Sequence, residues 1–157
     1  MMIEKMLIKN NFSTRNSVKI KYIVIHDTGN TKKSANAINH FKYFDKPNVN
    51  ASSHYVIDEN HIIQLVEDKD VSYHCGDGKG RFGITNSNSI GIELCVNEGN
   101  NWEITKEKAI FLVRLLLDKY DLDKKNVVRH FDASLKICPN KMSAFGWREW
   151  TYFYDSI

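Results

Sequence analysis

Short apolar runs punctuate an otherwise polar chain, and their lengths suit strands. The β-branched run Tyr22-Ile-Val-Ile25 leads from Lys21 to His26 and reads as a buried central strand, which ends at the turn-forming Asp27-Thr-Gly-Asn30. Ser34 is placed to cap a helix to about Phe44, with Ala37, Ile38, Phe41 and Phe44 near one face, and Pro47-Asn48 then opens a loop. His54-Tyr-Val-Ile57 and Ile62-Ile-Gln-Leu-Val66 flank Asp58-Glu-Asn60 as a β-hairpin. A polar, glycine-rich loop runs from Tyr73-His-Cys-Gly-Asp-Gly78 through Asn86. Ser89-Ile-Gly-Ile-Glu-Leu-Cys-Val96 is an interior strand whose one acid, Glu93, calls for an explanation. Thr105 is expected to cap a long helix to about Tyr120, and Val127-Val-Arg129 is a short strand delivering His130 to a loop. Residues 1 to 19 read as a strand or extended arm. Strands separated by helices, with one hairpin, predict an α/β domain: a central mixed β-sheet flanked by helices, with candidate chemistry at strand ends.

At 157 residues, 42% of them hydrophobic, the chain fills one domain and is too short for two of ordinary size. A single domain over 1–157 is expected, its core at 21–150, with no second domain in this chain. No stretch reaches the roughly 18 apolar residues of a membrane span, and Met1-Met-Ile-Glu-Lys-Met-Leu-Ile-Lys9 lacks a signal-peptide core. The expected location is therefore the cytoplasm. The formal charge of +3 is spread along the chain, which argues against nucleic-acid binding and allows mild attraction to an anionic surface. Neither a membrane nor an obligate protein partner is implied. Cys75, Cys95 and Cys138 cannot all pair, so reduced thiols are expected.

Two histidines stand at the same kind of boundary, each directly after a predicted strand. His26 and His130, joined by Cys138, which is followed by Pro139 in a polar loop, make a three-ligand set. Zinc takes imidazole nitrogen and thiolate, and a catalytic site uses three protein ligands and leaves one position open. The spacing from His130 to Cys138 is not that of a closed zinc finger, so an open site is the sharper reading of it. A lone histidine is more often structural than ligating, and Cys138 alone reads equally as a small buried apolar residue.

Five ordered blocks then carry a resemblance to the type 2 zinc N-acetylmuramoyl-L-alanine amidases, a family that includes phage lysins and is related to peptidoglycan recognition proteins. They are Ile-Val-Ile-His26 with Thr28, Ser-Ser-His-Tyr-Val-Ile57, Tyr-His-Cys-Gly76, Asn88-Ser-Ile-Gly-Ile-Glu93, and His130-Phe-Asp followed by Lys136, Cys138 and Pro139. The resemblance spans roughly Lys21 to Trp150. It implies that His26, His130 and Cys138 bind Zn²⁺ and that Glu93 and Lys136 flank the reacting water and carbonyl. Thr28 and His74 are the expected substrate contacts, and bacterial peptidoglycan is the implied partner. Zinc polarises an amide carbonyl and acidifies water, a carboxylate moves the proton, and an ammonium stabilises oxyanion charge.

One branch of the family has tyrosine immediately before the histidine matched by His54, where this chain has Ser53, and this moves the acid/base burden onto Glu93. His54 itself reads as a buttress of the sheet. His40 and His61 carry no special signal, and Trp102, Trp147 and Trp150 read as packing aromatics before sugar platforms. The implied activity is cleavage of the amide between N-acetylmuramic acid and L-alanine, in an endolysin that reaches the wall once the membrane is permeabilised. Competing readings are a metal-free peptidoglycan-binding module of the same fold, a cytoplasmic amidase recycling soluble muropeptides, and a cysteine peptidase using Cys75 or Cys138.

Overall fold

Hydrophobic residues on both faces of a strand demand cover on both sides, and that demand organises the structure. A computed structural model describes residues 1–157. Its strands are β1 (Glu4–Lys5), β2 (Phe12–Thr14), β3 (Tyr22–Asp27), β4 (Tyr55–Ile57), β5 (Ile62–Gln64), β6 (Asp70–Ser72), β7 (Ser89–Leu94) and β8 (Val127–Arg129). The helices are α1 (Ala37–Phe44), α2 (Trp102–Tyr120), α3 (His130–Ser134) and α4 (Ala144–Asp155). Six strands form one sheet in the order β1-β5-β4-β7-β3-β8, and β2 pairs with β6 in a separate ribbon. Strands β4, β7, β3 and β8 run parallel, while the β4–β5 hairpin is antiparallel, so the sheet is mixed as expected.

Strand alternation sorts the side chains between two layers. Ile23, Ile25, Ile90, Ile92 and Leu94 turn toward α2, where Ala109, Leu112, Val113 and Leu116 meet them in the main core. Truncating a fully buried leucine such as Leu112 to alanine costs about 2–5 kcal/mol. The opposite face carries Val56 and Ile63 against Ala37 and Phe44 of α1. His26 and Glu93 fall on this second face, near the carboxyl ends of parallel strands. That is where open α/β sheets place ligands.

Several boundaries differ from the sequence expectation. Asn36, not Ser34, caps α1, its side chain accepting from the Asn39 amide at 2.9 Å. Asn101, not Thr105, caps α2, and Thr105 lies in the first turn, where its hydroxyl donates to the Asn101 carbonyl. Asp27 completes β3 instead of opening the turn, because its backbone pairs with Leu94. His130 begins a short helix instead of a loop. The sequence reading missed β6 and α4. The latter is interrupted at Phe145, Gly146 and Trp147, which all have positive φ. No helix is long and apolar enough to cross a membrane.

Candidate metal centre and cleft

The register of three parallel strands assembles the site. His26 is paired laterally with Glu93, and Ile25 with Arg129, so one further step along β8 brings His130 beside His26. Cys138 returns from the loop after α3, its carbonyl accepting from the Phe131 amide at 3.0 Å. One ligand atom each from His26, His130 and Cys138 lies within 4.8 Å of the others, and all three residues are buried. His26 Nδ1 is 3.1 Å from His130 Nδ1 and 3.8 Å from Cys138 Sγ. With tetrahedral angles and zinc's usual bond lengths, such donor atoms sit about 3.3–3.6 Å apart, a spacing that the two His26 edges bracket, and the donor set of two imidazoles and one thiol is one that zinc takes.

The imidazoles are held in the form a metal requires. Burial, reinforced by His74, His130 and Lys136, depresses the His26 pKa well below the ordinary histidine value. Burial also lowers that of His130, against the opposing pull of Asp77. Both rings are therefore neutral at neutral pH. His130 Nε2 lies 2.7 Å from Asp77 Oδ1. Burial raises the Asp77 carboxyl, but the hydrogen bond and charge of His130 outweigh it and keep the carboxyl below its usual value. An ionised carboxylate only accepts, so His130 donates through Nε2–H and its Nδ1 is left bare. Gly78 lets the Asp77 loop press onto α3, since a Cβ there would lie 2.2 Å from the Ala133 carbonyl oxygen.

Burial, with Glu93 nearby, pushes the Cys138 thiol far above its ordinary range, and burial pushes Cys75 up to about 12. Neither is a thiolate nucleophile unaided, which disfavours the cysteine peptidase reading. A dication is what draws the proton from such a thiol.

Glu93 Oε2 is buried with no hydrogen-bond partner. Burial first, then the charge of Asp27, raises its carboxyl to about 8, with Lys136 pulling the other way. A groove of about 570 Å³ runs from Glu93 and Lys136 past Thr28 to Asn39, His40 and Tyr43 of α1. The Thr28 hydroxyl is likewise buried and unpartnered. Lys136 is exposed and also lines a second, polar groove with Asn50, Tyr73, Asn86 and Asp77. The seven residues singled out from sequence thus gather around one centre.

His74 stands differently from expectation. Its ring nitrogens meet His26 Nε2 at 2.9 Å and Ser89 Oγ at 3.0 Å, so neither is free for the substrate contact anticipated. Asp77 and the α1 wall of the groove were not anticipated at all. A carboxylate set between two glycines directly after Tyr-His-Cys was the available signal for the former. His54 buttresses the sheet as expected: Nδ1 accepts from the Gly91 amide at 3.0 Å, and Nε2 faces the Asp70 carbonyl at 3.1 Å. Trp147 and Trp150 pack around the Arg129 guanidinium, and the Trp102 indole donates to Glu149 at 2.6 Å.

Residues 16–141 match the family model described as N-acetylmuramoyl-L-alanine amidase. The chain belongs to that family. Among curated relatives, the N-acetylmuramoyl-L-alanine amidase CwlH of Bacillus subtilis (strain 168) is 36% identical over 136 residues, covering 87% of this chain and 52% of that protein. The N-acetylmuramoyl-L-alanine amidase XlyA of the same strain is 34% identical over 121 residues, covering 77% of this chain and 40% of that one. The chain thus spans about half or less of these relatives' lengths. The solved catalytic domain of XlyA superposes with a TM-score of 0.88 at 30% identity, over 100% of this chain and 99% of that one. The structure of PlyL does so with a TM-score of 0.82 at 30% identity, over 99% and 96%.

Proposed function

We propose that this amidase-family chain hydrolyses the amide joining N-acetylmuramic acid to L-alanine in bacterial peptidoglycan, with zinc held by His26, His130 and Cys138, in an endolysin-like setting. The observation that carries the reading is the convergence of those three ligand atoms within 4.8 Å beside the unpartnered Glu93 carboxyl in an open groove. When bound, zinc supplies Lewis acidity, polarising an amide carbonyl and acidifying water.

The chain's own groups supply the rest. Glu93 Oε2 takes a proton from the attacking water as the new C–O bond forms, and delivers it to the alanine nitrogen as the C–N bond breaks. A cation held at the ligand triangle would lower its raised pKa toward the neutral range, where a general base works best. The exposed Lys136 ammonium reaches over the cleft and stabilises negative charge developing on the carbonyl oxygen. Thr28 offers its free hydroxyl to the substrate backbone.

Digestion of purified cell wall tests the reaction. Free amino groups on L-alanine should accumulate without new reducing sugar ends, and 1,10-phenanthroline should stop their release. Reducing ends in place of amino groups would point to glycosidic cleavage and end the amidase reading.

A further inference from the structure

One face of β7 carries Ser89, Gly91 and Glu93 in alternation, and His74 lies across it. A Cβ at Gly91 would fall 2.5 Å from His74 Cγ, so the ring can rest on the strand only because that position is bare. Four groups then stand in a line. The Ser89 hydroxyl is 2.6 Å from the Thr85 carbonyl oxygen and 3.0 Å from His74 Nε2, and His74 Nδ1 is 2.9 Å from His26 Nε2.

The direction of this line is fixed at its far end. A carbonyl oxygen only accepts, so the single Ser89 proton goes to Thr85. Ser89 Oγ must then accept from His74 Nε2–H. A neutral His74 carrying its proton on Nε2 has a bare Nδ1, which accepts from His26 Nε2–H. His26 is left with its lone pair on Nδ1, the atom that faces His130 Nδ1 and Cys138 Sγ. Reversing the line would turn two oxygen lone pairs toward each other across 2.6 Å. The Cys75 thiol, 4.0 Å from both Ser89 Oγ and His74 Nε2, is too distant to redirect it.

We infer that Thr85, Ser89 and His74 form a one-way hydrogen-bond relay that holds His26 in the tautomer with Nδ1 free for a metal ion. His74 is a positioning residue, acting through His26 as Asp77 acts through His130. The two ligand histidines are thus oriented by different means, one by a carboxylate and the other by a neutral relay anchored on a backbone carbonyl. The inference rests on the zinc reading of the site.

The test is zinc affinity in the full chain, measured by competition with a chromophoric chelator, together with the ¹⁵N–¹H signature of the His26 ring in the zinc-loaded protein. His74→Leu removes the acceptor and should weaken zinc binding by about 10- to 100-fold, the usual cost of losing such a partner. His74→Asn places a carbonyl oxygen where Nδ1 stood and should recover most of that loss. Ser89→Ala leaves the ring in place but frees its tautomer, and should weaken zinc by a smaller factor while shifting the His26 Nε2–H resonance. Ser89→Ala is the variant to rely on if His74→Leu does not fold. Unchanged zinc affinity and an unmoved His26 resonance in Ser89→Ala would overturn the relay. So would a His74→Asn protein that is folded yet binds zinc no better than His74→Leu. Failure of the unsubstituted chain to bind zinc would overturn the metal reading itself, a result distinct from equal affinity across all four proteins.

Discussion

His26 and Glu93 are lateral partners on adjacent parallel strands, and their side chains leave the same face of the sheet. A predicted ligand and a predicted proton carrier are therefore fixed to each other by backbone hydrogen bonds instead of by a flexible loop. This rigid pairing lets metal binding and proton transfer be separated by substitution. In Glu93→Gln, zinc content should stay normal and wall turnover should fall about 10²- to 10⁴-fold, the range of general acid–base assistance. Lys136→Met should also retain zinc while slowing turnover. Equal turnover in Glu93→Gln and the unsubstituted chain, with both folded, would remove Glu93 from the chemistry.

Metal content separates ligands from bystanders. His26→Ala, His130→Ala and Cys138→Ala should each fail to retain zinc through gel filtration, because three protein ligands are the minimum for an open site. Cys75→Ser and Cys95→Ser should retain about one zinc per chain. Elemental analysis of the eluted protein reads the result, and stoichiometric zinc in Cys138→Ala would take that residue out of the set.

Asp77 should prove the external partner of the metal centre. Asp77→Ala leaves His130 Nε2–H without its acceptor, and zinc affinity should drop about 10- to 100-fold. Asp77→Asn keeps an acceptor oxygen and should lose less. Chelator competition orders the three proteins, and Asp77→Ala equal to the unsubstituted chain would contradict the assignment.

His54 predicts how stability depends on pH. Burial, with Arg15 adding to it, lowers its pKa from 6.5 to about 4, despite the Asp70 carbonyl and the Asp68 charge. The unfolded chain therefore takes up this proton first. The stabilisation is full above 6.5 and is lost as pH falls from there toward about 4. Its contribution to the slope approaches about 1.4 kcal/mol per pH unit inside that window. Urea unfolding between these limits should show a shallower slope in His54→Gln, and an identical slope would mean that His54 is protonated in the folded chain.

The sequence by itself determined that strands lie at about Lys21–His26 and Ser89–Val96, observed at Tyr22–Asp27 and Ser89–Leu94, and that a long helix ends at Tyr120, because continuous apolar runs and a helical stripe are local signals. It also named the three residues whose side chains converge, His26, His130 and Cys138, the histidines because each directly follows an apolar strand run and so announces a strand end. It placed helix caps a few residues off because Ser34 and Thr105 offer the same hydroxyl chemistry as a cap, and only backbone direction shows that Asn36 and Asn101 take the role. It missed α4, whose first turn is broken by Phe145, Gly146 and Trp147.

The roles of His74 and Asp77 belonged to the tertiary structure alone. His74 and Ser89 are distant in sequence, and nothing in the order of residues says that a bare Gly91 lets one lie over the other's strand. Which nitrogen of His26 carries a proton is settled by where the Thr85 carbonyl points. Chemical identity is a property of residues and can be read along the chain. The direction of a hydrogen bond depends on the partner at its far end, and only folding supplies that partner.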